Sequence, residues 1–239
     1  MPLPTRLPGA RFNSSPLVRC LSGLETGSGV AGTGPSGGTA GPQAVAETLS
    51  RWLAWTDAIA LSGALNPSPA GTPASDDTRS GLHTQLAEDA ARVRRDLVRS
   101  ITRDLSIETD FAAAAPAPQA ATDFAPYRRH YVTEQRTMAE RIGPLRARVR
   151  KALSTASPAL RRLAALDAVL DAALDARTRH LLGTVPALLE SHAQRGRQDP
   201  APQAWLQTLQ QVLLAELETR WQPIEGLLQA QAQDAPKPP

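Results

Sequence analysis

SPALRRLAALDAVLDAALDARTRHLLGTVPALLE, residues 157–190, decides the fold class. Ser157-Pro158 is a helix start: a serine oxygen satisfies an orphan backbone N–H, and the fixed φ of proline suits the first turn. Leu160, Leu163, Leu166, Leu170, Leu174 and Leu181 then recur at helical spacing as one apolar seam. Pro186 should bend or restart the helix. Across the whole chain 41 Ala and 31 Leu stand against 10 Val and 5 Ile, so strong helix formers far outnumber β-branched residues. The expected class is all-α, a multi-helix bundle of long kinked helices with flexible Gly/Pro-rich insertions.

The same period extends on both sides. Upstream, a helical region starting at Asp123, a candidate cap, carries Tyr131, Met138, Ile142, Leu145, Val149 and Leu153, and Gly143-Pro144 should kink or split it. Downstream, after the polar RGRQDPAP, a last helix carries Leu206, Leu209, Leu213, Leu217, Trp221, Ile224 and Leu228, with a late kink at Pro223. A helix over about 80–105 places Leu82, Leu86, Ala90, Val93, Leu97, Ile101 and Leu105 on one face and Arg92, Arg94, Arg95, Arg99 and Arg103 on the others. Another spans about 44–65, where Trp52 and Trp55 should pin it to the bundle.

The bundle domain is therefore 44–232, interrupted by a Pro/Ser-rich loop at 66–79 and an Ala/Pro-rich loop at 112–122. Ahead of it, residues 1–43 hold a short helix, opened by Ser14-Ser15-Pro16, and a linker in which eight of the 16 glycines fall between Gly23 and Gly41. Residues 233–239 should be a disordered tail.

Composition removes several function classes. The single cysteine, Cys20, excludes an internal disulfide and a Cys-rich zinc site. No stretch has the run of about 18–20 apolar residues that a membrane helix needs, and MPLPTRLPGARF has no apolar segment behind its arginines, so a cytoplasmic bacterial protein is expected. The linker spells GxGxxG at Gly27, Gly29 and Gly32 and again at Gly32, Gly34 and Gly37, and GxSxG at Gly34, Ser36 and Gly38. None of these has the strand that a dinucleotide fingerprint or a nucleophile elbow requires.

His83, His130, His180 and His192 share no metal-binding spacing. Asp167, Asp171 and Asp175 lie on one helical face, close enough to share a cation or oppose an arginine cluster, and read most simply as a solvated acidic face paired within the helix or with a partner. No catalytic residue, metal or cofactor is expected, and the chain reads as a non-enzyme.

Charge is what remains. Net charge is only +3, yet 24 of the 26 basic residues are arginine, which grips phosphate and carboxylate bidentately. Arg128, Arg129, Arg136, Arg141, Arg146, Arg148, Arg150, Lys151, Arg161 and Arg162 crowd one segment, opposed there only by Glu134 and Glu140. Two readings stay open: these residues hold nucleic-acid phosphates without reading sequence, or they pair with acidic faces of neighbouring helices or of a partner protein. The Leu206, Leu213, Leu217 and Trp221 stripe of the last helix is the candidate partner-binding surface.

The segments WLAWTDAIALSGAL (52–65), FAPYRRHYVTEQRTM (124–138), RIGPLRARVR (141–150), SPALRRLAALDAVLDAAL (157–174), RTRHLLGTVPALLE (177–190) and VLLAELETRWQPIEGLL (212–228) together resemble the bacterial DUF3348 family. That resemblance implies a cytosolic role in anti-phage defence, like the ZorF accessory component of type III Zorya systems. Implied partners are a second accessory protein of the ZorG kind and the cytoplasmic part of a proton-driven membrane motor; DNA is the partner that the 128–162 arginines suggest. It carries over no active-site residue. The Gly-rich linker is a departure that should loosen the N-terminal helix from the bundle.

Overall fold

In the computed structural model, residues 15–26, 54–65, 76–114, 124–195 and 202–234 are described. They form seven α-helices and no strand: α1 (Pro16–Thr26), α2 (Trp55–Leu65), α3 (Asp76–Ala114), α4 (Ala125–Ser154), α5 (Pro158–Gly183), α6 (Val185–Arg195) and α7 (Pro202–Asp234). The all-α expectation holds among these residues.

Helix ends follow local chemistry where the sequence supplies it. The Ser157 side chain accepts from the Leu160 N–H at 3.3 Å, with Pro158 opening α5. Chain direction is interrupted at Thr184, and α6 restarts with Pro186 at its second position. At α4 the expected cap is replaced: Phe124 is the N-cap residue, in an α-region conformation with no side-chain cap bond. Nor does Gly143-Pro144 split α4, which runs unbroken through Pro144. Both residues are exposed, so the ring and the carbonyl it leaves unpaired meet solvent rather than core.

Helix α3 begins inside the expected 66–79 loop and ends inside the expected 112–122 loop. Its extension follows from FAAA, since alanine is the best helix former, and Pro116 lies two residues beyond its end. The last helix likewise reaches Asp234, into the tail expected from 233. The linker motifs, Trp52 and the start of the 44–65 helix lie outside the described residues.

Antiparallel pairing organises the bundle. A short turn at 155–157 folds α5 back on α4. Pairings of Ser100 with Glu134, Asp96 with Arg141 and Asp89 with Arg148 run α3 antiparallel to α4. Arg94 meeting Glu218 while Leu86 clusters with Leu227 does the same for α3 and α7. The main core joins Leu97 and Ile101 of α3, Tyr131 and Met138 of α4, Leu189 of α6, and Leu209, Leu213 and Ile224 of α7, all fully buried. Each such side chain contributes about 1.5–3 kcal/mol of transfer free energy. A second cluster around Val149, Leu153 and Leu160 closes the α4–α5 turn.

Contrary to expectation, α1 is not loose. Leu17 and Leu24 are buried in the main core, and the helix packs on α6 and α7. Helix α2 corrects a second expectation. It lies against α5 through Ala64, while Trp55 is 79% exposed and Ile59 points outward, so Trp55 does not pin it. Asp57 caps the helix instead, its carboxylate accepting from the Ala54 N–H at 2.8 Å.

Candidate anion-binding face

The ten basic residues of the 128–162 segment divide by position on the helix. Arg146 and Arg150 project from α4 toward α5, where Asp167 and Asp171, one turn apart, meet them. Arg146 engages Asp167 through two bonds (2.8 and 2.6 Å) and Asp171 through a third at 2.5 Å. Arg150 reaches Asp171 at 2.8 Å and Asp167 at 3.1 Å. Side chains of Arg146, Asp167 and Arg150 are only 15%, 12% and 20% exposed. Burial works to lower the Arg150 pKa, and hydrogen bonds to Asp171 and Asp167 outweigh it, so the guanidinium is held above its ordinary value.

These four groups form an interhelical clamp, and both arginines are spent on it. Asp167 is therefore not part of a solvated acidic face. Asp175, 56% exposed, keeps that character and pairs with Arg179 at 2.7 Å.

Two further arginines sit on the α3–α4 seam. Arg141 lies 3.5 Å from Asp96, which also holds Arg99 at 3.2 Å. Arg148 lies 3.2 Å from Asp89, which also neighbours Arg92 at 3.8 Å. Each aspartate is shared by two guanidinium groups, so one positive charge per trio is left over. Arg161 is half-buried and donates Nε–H to the Ser154 carbonyl at 3.2 Å, bracing the α4–α5 turn.

Arg128, Arg129, Lys151 and Arg162 are exposed and make no ion pair among the described residues, and Arg136 has only a loose 3.8 Å contact with Glu140. Arg128 stands about 100° round the helix from Arg129, away from the α3 side.

The structure adds cations that the 128–162 segment does not contain. Arg92, Arg95, Arg99 and Arg103, at three- and four-residue steps, form an exposed ridge on α3 alongside α4. With Arg129, Arg136, Arg141, Arg148 and Lys151 of α4 they make nine cations on one two-helix face, against Glu88, Asp89, Asp96 and Glu140. The arginine spacing on α3 was the signal for this ridge. The antiparallel pairing that brings it beside α4 had none in the linear sequence.

The predicted partner stripe is core. Leu206, Leu213, Leu217 and Trp221 are 7%, 0%, 2% and 4% exposed, packed among α1, α3 and α4. An apolar face of this width is needed by the chain itself. In the core, the fully buried Glu216 of α7 ties that helix to α4, and Gln135 extends the network to α5. Glu216 accepts from the Tyr131 hydroxyl at 2.6 Å and from the Gln135 amide at 3.0 Å, and pairs with Arg220 at 2.7 Å. Gln135 spends its other proton on the Leu182 carbonyl at 3.0 Å. Burial, and then the negative Glu216, push the Tyr131 phenol far above its ordinary pKa.

Among the described residues no group of three His, Cys, Asp or Glu side chains is placed to hold a metal ion, and no helix is long and apolar enough to cross a membrane. His83 lies along a groove beside α7, and His130 has a buried Nε2 without a hydrogen-bond partner.

Among curated proteins and solved structures, nothing matches the chain. A family model described as a protein of unknown function, DUF3348, matches residues 5–233, and with all but the ends of the sequence so covered the chain belongs to that family.

Proposed function

We propose that this chain is a non-catalytic accessory protein that grips nucleic-acid phosphates without reading sequence, and that it serves bacterial anti-phage defence in the manner of ZorF of type III Zorya systems. In that role it acts in the cytoplasm beside a membrane motor and a second accessory protein of the ZorG kind. The observation that carries the binding reading is the α3–α4 face, where nine cations stand against four carboxylates, with Asp89 and Asp96 each shared by two arginines. Arginine and lysine so arranged displace condensed counterions from a duplex, which gives affinity with a steep salt dependence. The defence setting rests on the sequence resemblance alone.

The test is titration of a labelled duplex and a labelled single strand with nuclease-treated protein, across a salt series and with magnesium present. Wild-type protein should bind both, leave them intact and lose affinity steeply with salt. Arg92→Glu, Arg129→Glu and Arg136→Glu together should flatten the slope of log K against log salt by up to about 2.7, at roughly 0.9 per lost phosphate contact. An unchanged slope, or no binding up to about 100 μM, the weak limit of non-specific association, would refute the reading.

A helical adaptor that contacts no nucleic acid is the second reading. It is favoured by the groove between α3 and α7.

A further inference from the structure

We infer that the groove between α3 and α7 is the docking site for an acidic amphipathic helix of another protein. Where α3 and α7 run antiparallel, they leave an open trough of about 950 Å³ between them. On the α3 side it extends from His83 to Thr102, about 28 Å at 1.5 Å per residue, or five helical turns. Ala87, Ala90, Ala91 and Val98 form one wall, with Leu228 and Ala232 opposite. Such short side chains let a third helix approach to the 8–10 Å typical of packed axes.

The chemistry of the trough selects a helix over other occupants. Its one aromatic, Trp221, is 4% exposed and presents no face on which a base could stack. A trough open along its whole length does not enclose a small molecule. The apolar floor matches the seam of an amphipathic helix, the ordinary helix-in-groove mode.

Charge complementarity then sets the partner's flanks. Arg95 stands on the α3 lip with Arg99, which shares Asp96 with Arg141, and Arg94 lies there too, tied to Glu218 at 2.6 Å. The α7 lip carries Glu225 and Gln229. The occupant should therefore place carboxylates along the α3 flank and neutral or basic residues along the α7 flank. The segments between the helices do not supply such a helix. The stretches 1–14, 27–53, 66–75, 115–123, 196–201 and 235–239 contain, at most, one carboxylate each, namely Glu47, Asp123 and Asp199. The acids of α5 are committed to Arg146, Arg150 and Arg179. The occupant is assigned to a separate acidic partner, and docking of a second copy of this chain is an outcome the test distinguishes. Arg95 and Arg99 belong to the α3–α4 face as well, so their charge variants touch both readings, whereas Ala91→Trp, which removes no charge, addresses the trough alone.

The experiment uses the full chain and a fluorescent 21-residue helical peptide with a Leu/Ala seam, Glu on one flank, and Gln and Lys on the other. Saturable binding is expected, at least about tenfold tighter than for a peptide with Lys in place of every Glu. Ala91→Trp fills the trough from an exposed position and should abolish binding, with its folding checked by urea titration. Arg95→Glu with Arg99→Glu should weaken the acidic peptide at least about tenfold and reverse the preference between the two peptides. This second variant keeps the test open if Ala91→Trp fails to fold. No peptide binding at about 100 μM, or equal binding of both peptides, would overturn the inference. So would folded Ala91→Trp binding like wild type, losing DNA affinity instead, or dissociating a dimer formed by the wild type.

Discussion

Removing Asp167 should cost this protein a large fraction of its stability while leaving its anion-binding face in place. Asp167→Ala deletes two bonds to Arg146 and one to Arg150, leaving both guanidiniums to share Asp171. Breaking a buried ion pair costs about 3–5 kcal/mol, because an uncompensated charge stays behind. Here the surviving Asp171 is 37% exposed and well hydrated, and Arg146 and Arg150 retain 15% and 20% exposure, so about 2–3 kcal/mol is the expected loss. With a urea m-value near 2 kcal/mol/M, the unfolding midpoint should fall by about 1–1.5 M. Asp167→Asn should lose less. Combining Arg146→Met with Asp167→Leu should recover most of the loss, since an apolar pair of similar volume replaces the clamp and leaves fewer stranded charges. The coupling in that double-mutant cycle should exceed about 1 kcal/mol. Salt at about 1 M should change these differences little, because partly buried pairs are weakly screened. A midpoint shift below about 0.3 M for Asp167→Ala would mean that the clamp behaves as a surface pair, and the division between structural and free arginines would fall with it.

Leu213→Ala, at a fully buried position, should destabilise by about 2–5 kcal/mol in urea titration, which distinguishes a core residue from a partner contact. Trp55→Ser should stay within about 0.5 kcal/mol and remove an emission readily quenched by acrylamide, given 79% exposure. Tyr131→Phe should cost about 1–2 kcal/mol at pH 7 by removing the 2.6 Å bond to Glu216. Because burial raises the Tyr131 pKa in the native state, its contribution is complete below about pH 10, where an unfolded tyrosine ionises, and is lost as pH rises above that. The phenylalanine variant should therefore show a flatter decline in stability between about pH 10 and 11 than wild type.

The helices were legible because their signals are local. The Tyr131-to-Leu153 stripe of α4 and the Leu206-to-Ile224 stripe of α7 are buried as their period requires, and Ser157-Pro158 opens α5 as a cap and a proline should. Misreadings arose where tertiary position decides. Of the two outcomes expected at Pro144, the split does not occur, and the exposed position leaves the unpaired carbonyl to solvent. Two tryptophans at helical spacing suggest an anchor, yet Trp55 lies on the outer face of a helix that touches only α5 closely. The candidate site was half legible. Arginine density marked α4, but nothing along the chain indicated that Asp167 and Asp171 would return beside Arg146 and Arg150. That encounter depends on the three-residue turn at 155–157, which brings position 171 opposite 146 and position 167 opposite 150.

That register separates two uses of one residue type. A guanidinium facing α5 meets a carboxylate one helix away and becomes part of the scaffold, whereas one facing solvent or the α3 seam retains charge that an external anion can use. Arg146 and Arg129 sit on the same helix and look equivalent in the sequence, yet their substitution should move different measurements: urea midpoint for the first, salt slope for the second. Reversing the charge of the whole 128–162 segment would conflate unfolding with lost binding. Arg92, Arg129 and Arg136, all exposed, allow the binding question to be asked of a protein that remains folded.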